Sequence, residues 1–347
     1  MLPELMEHLP GWYYSDQKLR TVSTGPRNPW GIVSKFPIVS TTAHGFGVKI
    51  QLNNHRHPEI EPPFHGLAEE EYPPIELFHP STNGSGRPFN RRASSTNMNT
   101  RFMYLFNCHL YYFPYQPFQL VKIPYGDQPF LNTAEEAIQS CIETRSTEVD
   151  VILNEIQKVA EQEPDVPIFL TGDFNEPSHL DWTPLAVMAG LQPMTVKWPM
   201  TQRAYKAGLV DLWRAYQPHY RRSSGSGAGN NSAPTSPTSP LAGSPQSNHS
   251  LSMMKDNVMT NEKDRIAAQV IERPGYTWTV LKPELDVEDH YDRIDYIFGL
   301  NRESSPIALK EVAIKMGEEF CRSGEKNDKV LKPWPSDHRA VVATVLL

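Results

Sequence analysis

The chain has 347 residues, with 33 Lys and Arg against 40 Asp and Glu, for a net charge of −7. That balance gives no global basic field to draw in nucleic acid, although a local basic groove stays open, and it suits a metal site built from carboxylates. A hydrophobic content of 39% supports a large core, no run of 18 apolar residues reads as a membrane span, and 32 Pro imply many loops.

Read in chain order, Leu2, Leu5, Met6 and Leu9 form the apolar face of a short helix, and the segment is neither basic nor long enough for a signal peptide. Phe46 to Leu52 alternates like an edge or half-buried strand, and the next strand begins near Arg101. Between them, residues 54–100 are rich in Pro, His, Asn and Ser and read as a surface loop insert. Its scattered histidines (His55, His57, His65, His79) have no ligand spacing. Phe102-Met103-Tyr104-Leu105 leads into Phe106-Asn107-Cys108-His109-Leu110, which puts His109 beside an apolar strand. The aromatics of Tyr112-Phe113-Pro114-Tyr115 just beyond it either stack on a base or sugar or serve as packing.

Thr133-Ala134-Glu135-Glu136 fits a capping box. Ala137, Ile138, Cys141, Ile142, Val149, Ile152, Ile156 and Val159 then recur at roughly helical spacing, so a helix is predicted to end near Glu161, with Arg145 free to pair with an acidic neighbour. The apolar run Val166–Leu170 opens into Thr171-Gly172-Asp173-Phe174-Asn175-Glu176-Pro177. Two polar residues two apart on extended backbone point the same way. Asp173 can accept a proton or orient a water, and Asn175 can donate to an anionic oxygen. On its own residues the string reads equally well as a turn.

Residues 222–263 hold Ser-Gly and Ser-Pro repeats, cannot bury enough apolar surface to order, and read as a disordered insert. Asp292-Arg293-Ile294-Asp295-Tyr296-Ile297-Phe298 follows, with Asp295 open to an ion pair with Arg293. Pro335-Ser336-Asp337-His338-Arg339 precedes the last apolar run, 340–345. The three cysteines, Cys108, Cys141 and Cys321, form neither a disulfide framework nor a zinc pattern; Cys108 and Cys141 read as buried apolar residues. So sparse a cysteine set is compatible with either redox compartment.

These strings in this order, with Gly31-Ile32-Val33-Ser34-Lys35-Phe36-Pro37-Ile38 and Gly208-Leu209-Val210-Asp211-Leu212-Trp213-Arg214, resemble the endonuclease/exonuclease/phosphatase superfamily. That superfamily includes deoxyribonuclease I, apurinic endonucleases, inositol-polyphosphate phosphatases and neutral sphingomyelinases. The continuation Glu176-Pro177-Ser178-His179-Leu180-Asp181-Trp182 is similar to an uncharacterised branch of it. The resemblance implies one α/β domain over 1–347, a four-layer sandwich of two mixed β-sheets flanked by helices. It implies a metal-dependent phosphoesterase using Mg²⁺, or Mn²⁺ in its place, on a phosphate ester: a lipid headgroup, an inositol phosphate or nucleic acid.

By the same resemblance Asp173 orients or deprotonates the attacking water, and Asn175 holds that water or a phosphate oxygen. Asp295 fixes the tautomer of His338, which contacts the phosphate or acts as a base. Asp337 binds metal together with Asp173, and His109 donates to a phosphate oxygen or assists the leaving group. A metal-binding Glu and an Asn are expected upstream of Gly31, and Glu4 and Glu7 on the predicted helix are poor substitutes. The expectation is therefore an N-terminally truncated domain with its first strand or strands missing, active at full length and weak or inactive as it stands. Two other readings stay open: a non-catalytic relative that binds phosphorylated ligands or protein partners, and a scaffold acting through the Ser-Pro-rich insert.

Overall fold

A computed structural model describes residues 9, 11–17, 30–52, 75–76, 101–216, 270–271, 273–278, 290–315 and 336–347. The predicted helix at the start (but for Leu9), Cys321, the 222–263 insert and nearly all of the 54–100 insert lie outside those residues.

The fold is α/β and layered. Its main sheet has six strands in the order β3-β4-β6-β7-β9-β8. These are β3 (Ile38–Thr41), β4 (Gly47–Leu52), β6 (Arg101–His109), β7 (Ile168–Asp173), β8 (Leu209–Asp211) and β9 (Asp295–Leu300). The sheet is mixed: β6 and β7 run parallel, and the other neighbours are antiparallel. A parallel pair needs a crossover, and here it contains α1 (Gln116–Val121) and the 29-residue α2 (Ala134–Gln162). A second, antiparallel sheet has the order β11-β10-β5, from β5 (Ile75–Glu76), β10 (Ala308–Lys315) and β11 (Ala340–Leu346). The expected loop insert thus contributes Ile75–Glu76 as a strand. A ribbon of β1 (Tyr13–Gln17) and β2 (Trp30–Ser34) completes the strands among the described residues.

Period-two alternation assigns the faces. Tyr104, Phe106, Ile168, Leu170, Tyr296 and Phe298 point to one side of the main sheet, where Val149, Ile152 and Ile156 of α2 cover them. Met103, Leu105, Phe169 and Ile297 point to the other side, against Leu309, Val312, Val341, Ala343 and Val345 of the second sheet and Ile307 just before it. Burying each large side chain of this kind stabilises the fold by roughly 1.5–3 kcal/mol. The described layers run helix, sheet, sheet. Val342 and Leu346, on the outer face of β11, are exposed, and no described helix covers that face.

The helix α2 begins as predicted. Thr133 Oγ1 accepts from Glu136 N, and Glu136 Oε2 accepts from Thr133 N, at 3.2 and 3.1 Å. The helix ends at Gln162, one residue beyond Glu161. Cys108 and Cys141 are buried. Among the described residues no helix is long and apolar enough to cross a membrane.

Candidate active site

Three neighbouring strands deliver their site residues in one row. In the register of the main sheet His109 faces Asp173, and Asp173 faces Asp295. β6 and β7 end there and β9 begins there, so all three side chains stand at the same end of the sheet. They continue the odd-numbered positions whose other members, Leu105, Phe169 and Ile297, face the second sheet. The row therefore opens at the end of the inter-sheet interface, where the chain entering β11 brings His338. His338 Nδ1 lies 2.9 Å from Asp295 Oδ2, and His109 Nε2 lies 3.4 Å from Asp173 Oδ2. The four side chains keep 12–27% of their surface, enough for a ligand to reach them without crossing the core.

The electrostatics follow from this crowding. Burial and the Asp295 charge push Asp173 up to about 7, against the opposing pull of His338, the Asn175 amide and Arg145. Burial disfavours a charged His338, but the hydrogen bond and charge of Asp295, with Asp173 and Asp337, outweigh it and raise the ring to about 9. Burial, with the nearby His338 charge, holds His109 down to about 4 despite Asp295. At neutral pH the row holds a neutral imidazole, a carboxyl poised between its two states and a cationic imidazole.

Among the described residues, Asp173, Asp295 and His338 form a group whose potential ligand atoms all lie within 4.8 Å of one another. The carboxylates are hard oxygen donors and fit a cation such as Mg²⁺, which keeps several waters. His338, cationic and tied to Asp295, is the poorer ligand of the three. Asp337 is exposed and stands outside this group, acting on His338 through its charge.

Asn175 differs from the extended reading. The strand ends at Asp173, Phe174 turns into the core, and Asn175 adopts a left-handed φ of 47°. Its Nδ2 donates to Leu110 O at 2.8 Å, and its backbone N–H donates to Asp173 Oδ1 at 2.7 Å. Asn175 thus orients Asp173 and ties the β7 end to the segment after His109, instead of standing beside Asp173 on a common face.

The Asp295–Arg293 ion pair does not form. Arg293 is buried against Asp181 at 3.0 Å and Asp211 at 2.7 Å, which leaves Asp295 to His338. Among the described residues Arg145 pairs with no acid. It is fully buried and donates to the carbonyls of Tyr111 and Pro114 and to Gln116 Oε1 at 2.7–2.8 Å, pinning the wall that follows His109. Glu176, Asp181 and Trp182 are support: Glu176 Oε1 accepts from Met200 N, Asp181 pairs with Arg214 and Arg293, and Trp182 donates to buried Asp292. The sequence does not mark Asp292 and Arg145 for these roles. Only their charge beside apolar residues hinted at them, and that is also what a solvated face looks like. Tyr112 is 47% exposed, whereas Tyr115 is buried and donates to Asp292, so of these two tyrosines only the former can meet a ligand.

A layered α/β fold with a carboxylate–histidine cluster at the sheet end is the class this geometry defines. No family model matches the chain. It is similar to an uncharacterised protein of Caenorhabditis elegans, F14F9.5, at 29% identity over 257 residues, 71% of this chain and 61% of that protein. The chain thus spans 61% of the length of this relative.

Proposed function

We propose that this chain is a metal-dependent phosphoesterase. The observation that carries the reading is the row His109–Asp173–Asp295, closed by His338 from the segment entering β11. Asp173 and Asp295 would hold a Mg²⁺ or Mn²⁺ ion, whose chemistry is to neutralise phosphate charge. Asp173, oriented by the Asn175 amide, accepts the proton of a water attacking phosphorus. His338, fixed as a cation by Asp295, binds a phosphate oxygen through its other ring nitrogen and offsets charge developing there. Neutral His109 offers a ring N–H to the leaving oxygen. Asn175 holds Asp173 in place, and the Asp337 charge helps keep His338 protonated. The substrate is a phosphate ester; lipid headgroups, inositol phosphates and nucleic acid share that chemistry.

The test is hydrolysis of bis(p-nitrophenyl) phosphate and p-nitrophenyl phosphate with and without Mg²⁺ or Mn²⁺, alongside Mn²⁺ binding followed by electron paramagnetic resonance. Weak metal-dependent turnover is expected of this chain, in keeping with the upstream Glu and Asn that the resemblance calls for, and a further loss of about a hundredfold or more in Asp173→Asn and His338→Gln. Turnover that ignores both substitutions, or absence of both turnover and Mn²⁺ binding, overturns the reading. Saturable binding of the esters without turnover selects the non-catalytic binder instead.

A further inference from the structure

The Asp295–His338 pair is held together from behind by a short arm, residues 273–278. Thr277, fully buried, sits at the centre of this contact. Its Oγ1 accepts the N–H of Ile294 and of Asp295, each at 3.0 Å. Its backbone N–H donates to Asp292 O at 3.0 Å, and its carbonyl accepts from Arg339 N at 2.7 Å. Trp278 bridges both Asp292 and His338. One residue therefore grips the backbone at Asp295 and the backbone beside His338, partners that are 43 positions apart in the chain.

The arm is anchored at its other end. Arg214, held by Asp181 at 2.9 Å, donates to Arg273 O and Pro274 O at 2.7 and 3.0 Å. The Arg273 guanidinium stacks 4.1 Å from the Trp213 ring. Gly275 has φ +72°, and a Cβ there would fall 2.3 Å from Trp213 Nε1, so the arm runs hard against that ring. A hydroxyl delivered by so constrained a segment is placed before any ligand arrives.

We propose that Thr277 is a positioning residue for the Asp295–His338 pair, its hydroxyl setting the backbone from which Asp295 reaches the imidazole. Only the kinetic arm of the test rests on the phosphoesterase reading. Thr277→Val keeps the shape but leaves two buried amides without an acceptor. Thr277→Cys replaces the oxygen with a weak acceptor, and Thr277→Ser restores it.

The Asp295-bound imidazole N–H is followed as a downfield proton resonance in NMR, identified by its loss in His338→Gln. Wild type and Thr277→Ser are expected to show it, and Thr277→Val and Thr277→Cys to lose or broaden it while still folded. In the kinetic arm, kcat on bis(p-nitrophenyl) phosphate should fall about tenfold to a hundredfold in the Val and Cys variants, with KM within about twofold and with recovery in the Ser variant. A resonance and kcat equal to wild type in Val or Cys overturns the proposal. Absence of both turnover and Mn²⁺ binding in wild type, with the resonance still dependent on the hydroxyl, overturns the phosphoesterase reading and leaves the positioning role standing.

Discussion

The glycine before Asp173 is a steric requirement. Gly172 has φ +140°, and a Cβ there would lie 1.9 Å from Cys108 O, because β6 and β7 pair closely beneath the site. Gly172→Ala should therefore cost about 3 kcal/mol or more, read as a drop in the urea midpoint at constant slope. A loss under about 1 kcal/mol would show that the strand pair relaxes freely. Glu176 supplies the pH prediction. Burial pushes its carboxyl up to about 7, against Arg145 and the Met200 amide. A folded-state pKa above the ordinary 4.5 means that the folded chain binds the extra proton, so stability is full below pH 4.5 and declines as pH rises through 7. Asp173 adds to the decline over the same window. Glu176→Gln should remove its own share, stabilising the chain by on the order of 3 kcal/mol at pH 8 and leaving it little changed at pH 4. Equal melting shifts at both pH values would sink this assignment.

At the scale of the element, α2 was legible because its signals are local. The cap, the periodicity and the stop before Pro164 all lie within the segment itself. Thr133→Ala should cost about 1 kcal/mol, since it removes one cap from a helix otherwise held by its buried face. A denaturation curve that does not move would show that Glu136 alone satisfies that turn. Arg145, on the same helix, was not legible, because its acceptors are carbonyls of another segment. Arg145→Met leaves those carbonyls buried without donors and should destabilise by about 3–5 kcal/mol, with Arg145→Lys recovering only part. Thermal melts of the two variants check it; a stable Arg145→Met chain would mean the 111–116 wall holds itself.

Across the whole molecule the ends of the long excursion are clasped, since Arg273 Nη1 donates to Tyr216 O at 2.9 Å. Replacing residues 223–262 with a short Gly/Ser linker should therefore shift the melting temperature by only a few degrees, as loop closure changes by roughly 0.6 kcal/mol per doubling of length. A loss of ten degrees or more would show that those residues pack on the domain. What the amino-acid order determined alone was short-range: the apolar runs that become β6, β7 and β9, the capped helix, and the polar residue at each strand end. Sequence periodicity reports which side of a strand is apolar. It does not report which strand lies next to which, so the alignment of His109, Asp173 and Asp295 in one row required the sheet register. The same limit applies to Asn175, whose left-handed backbone redirects its amide to Leu110, and to His338, which reaches Asp295 only because two sheets pack face to face. Those contacts depend on long-range packing, where a partner is chosen by the shape and burial of the assembled core and not by spacing along the chain.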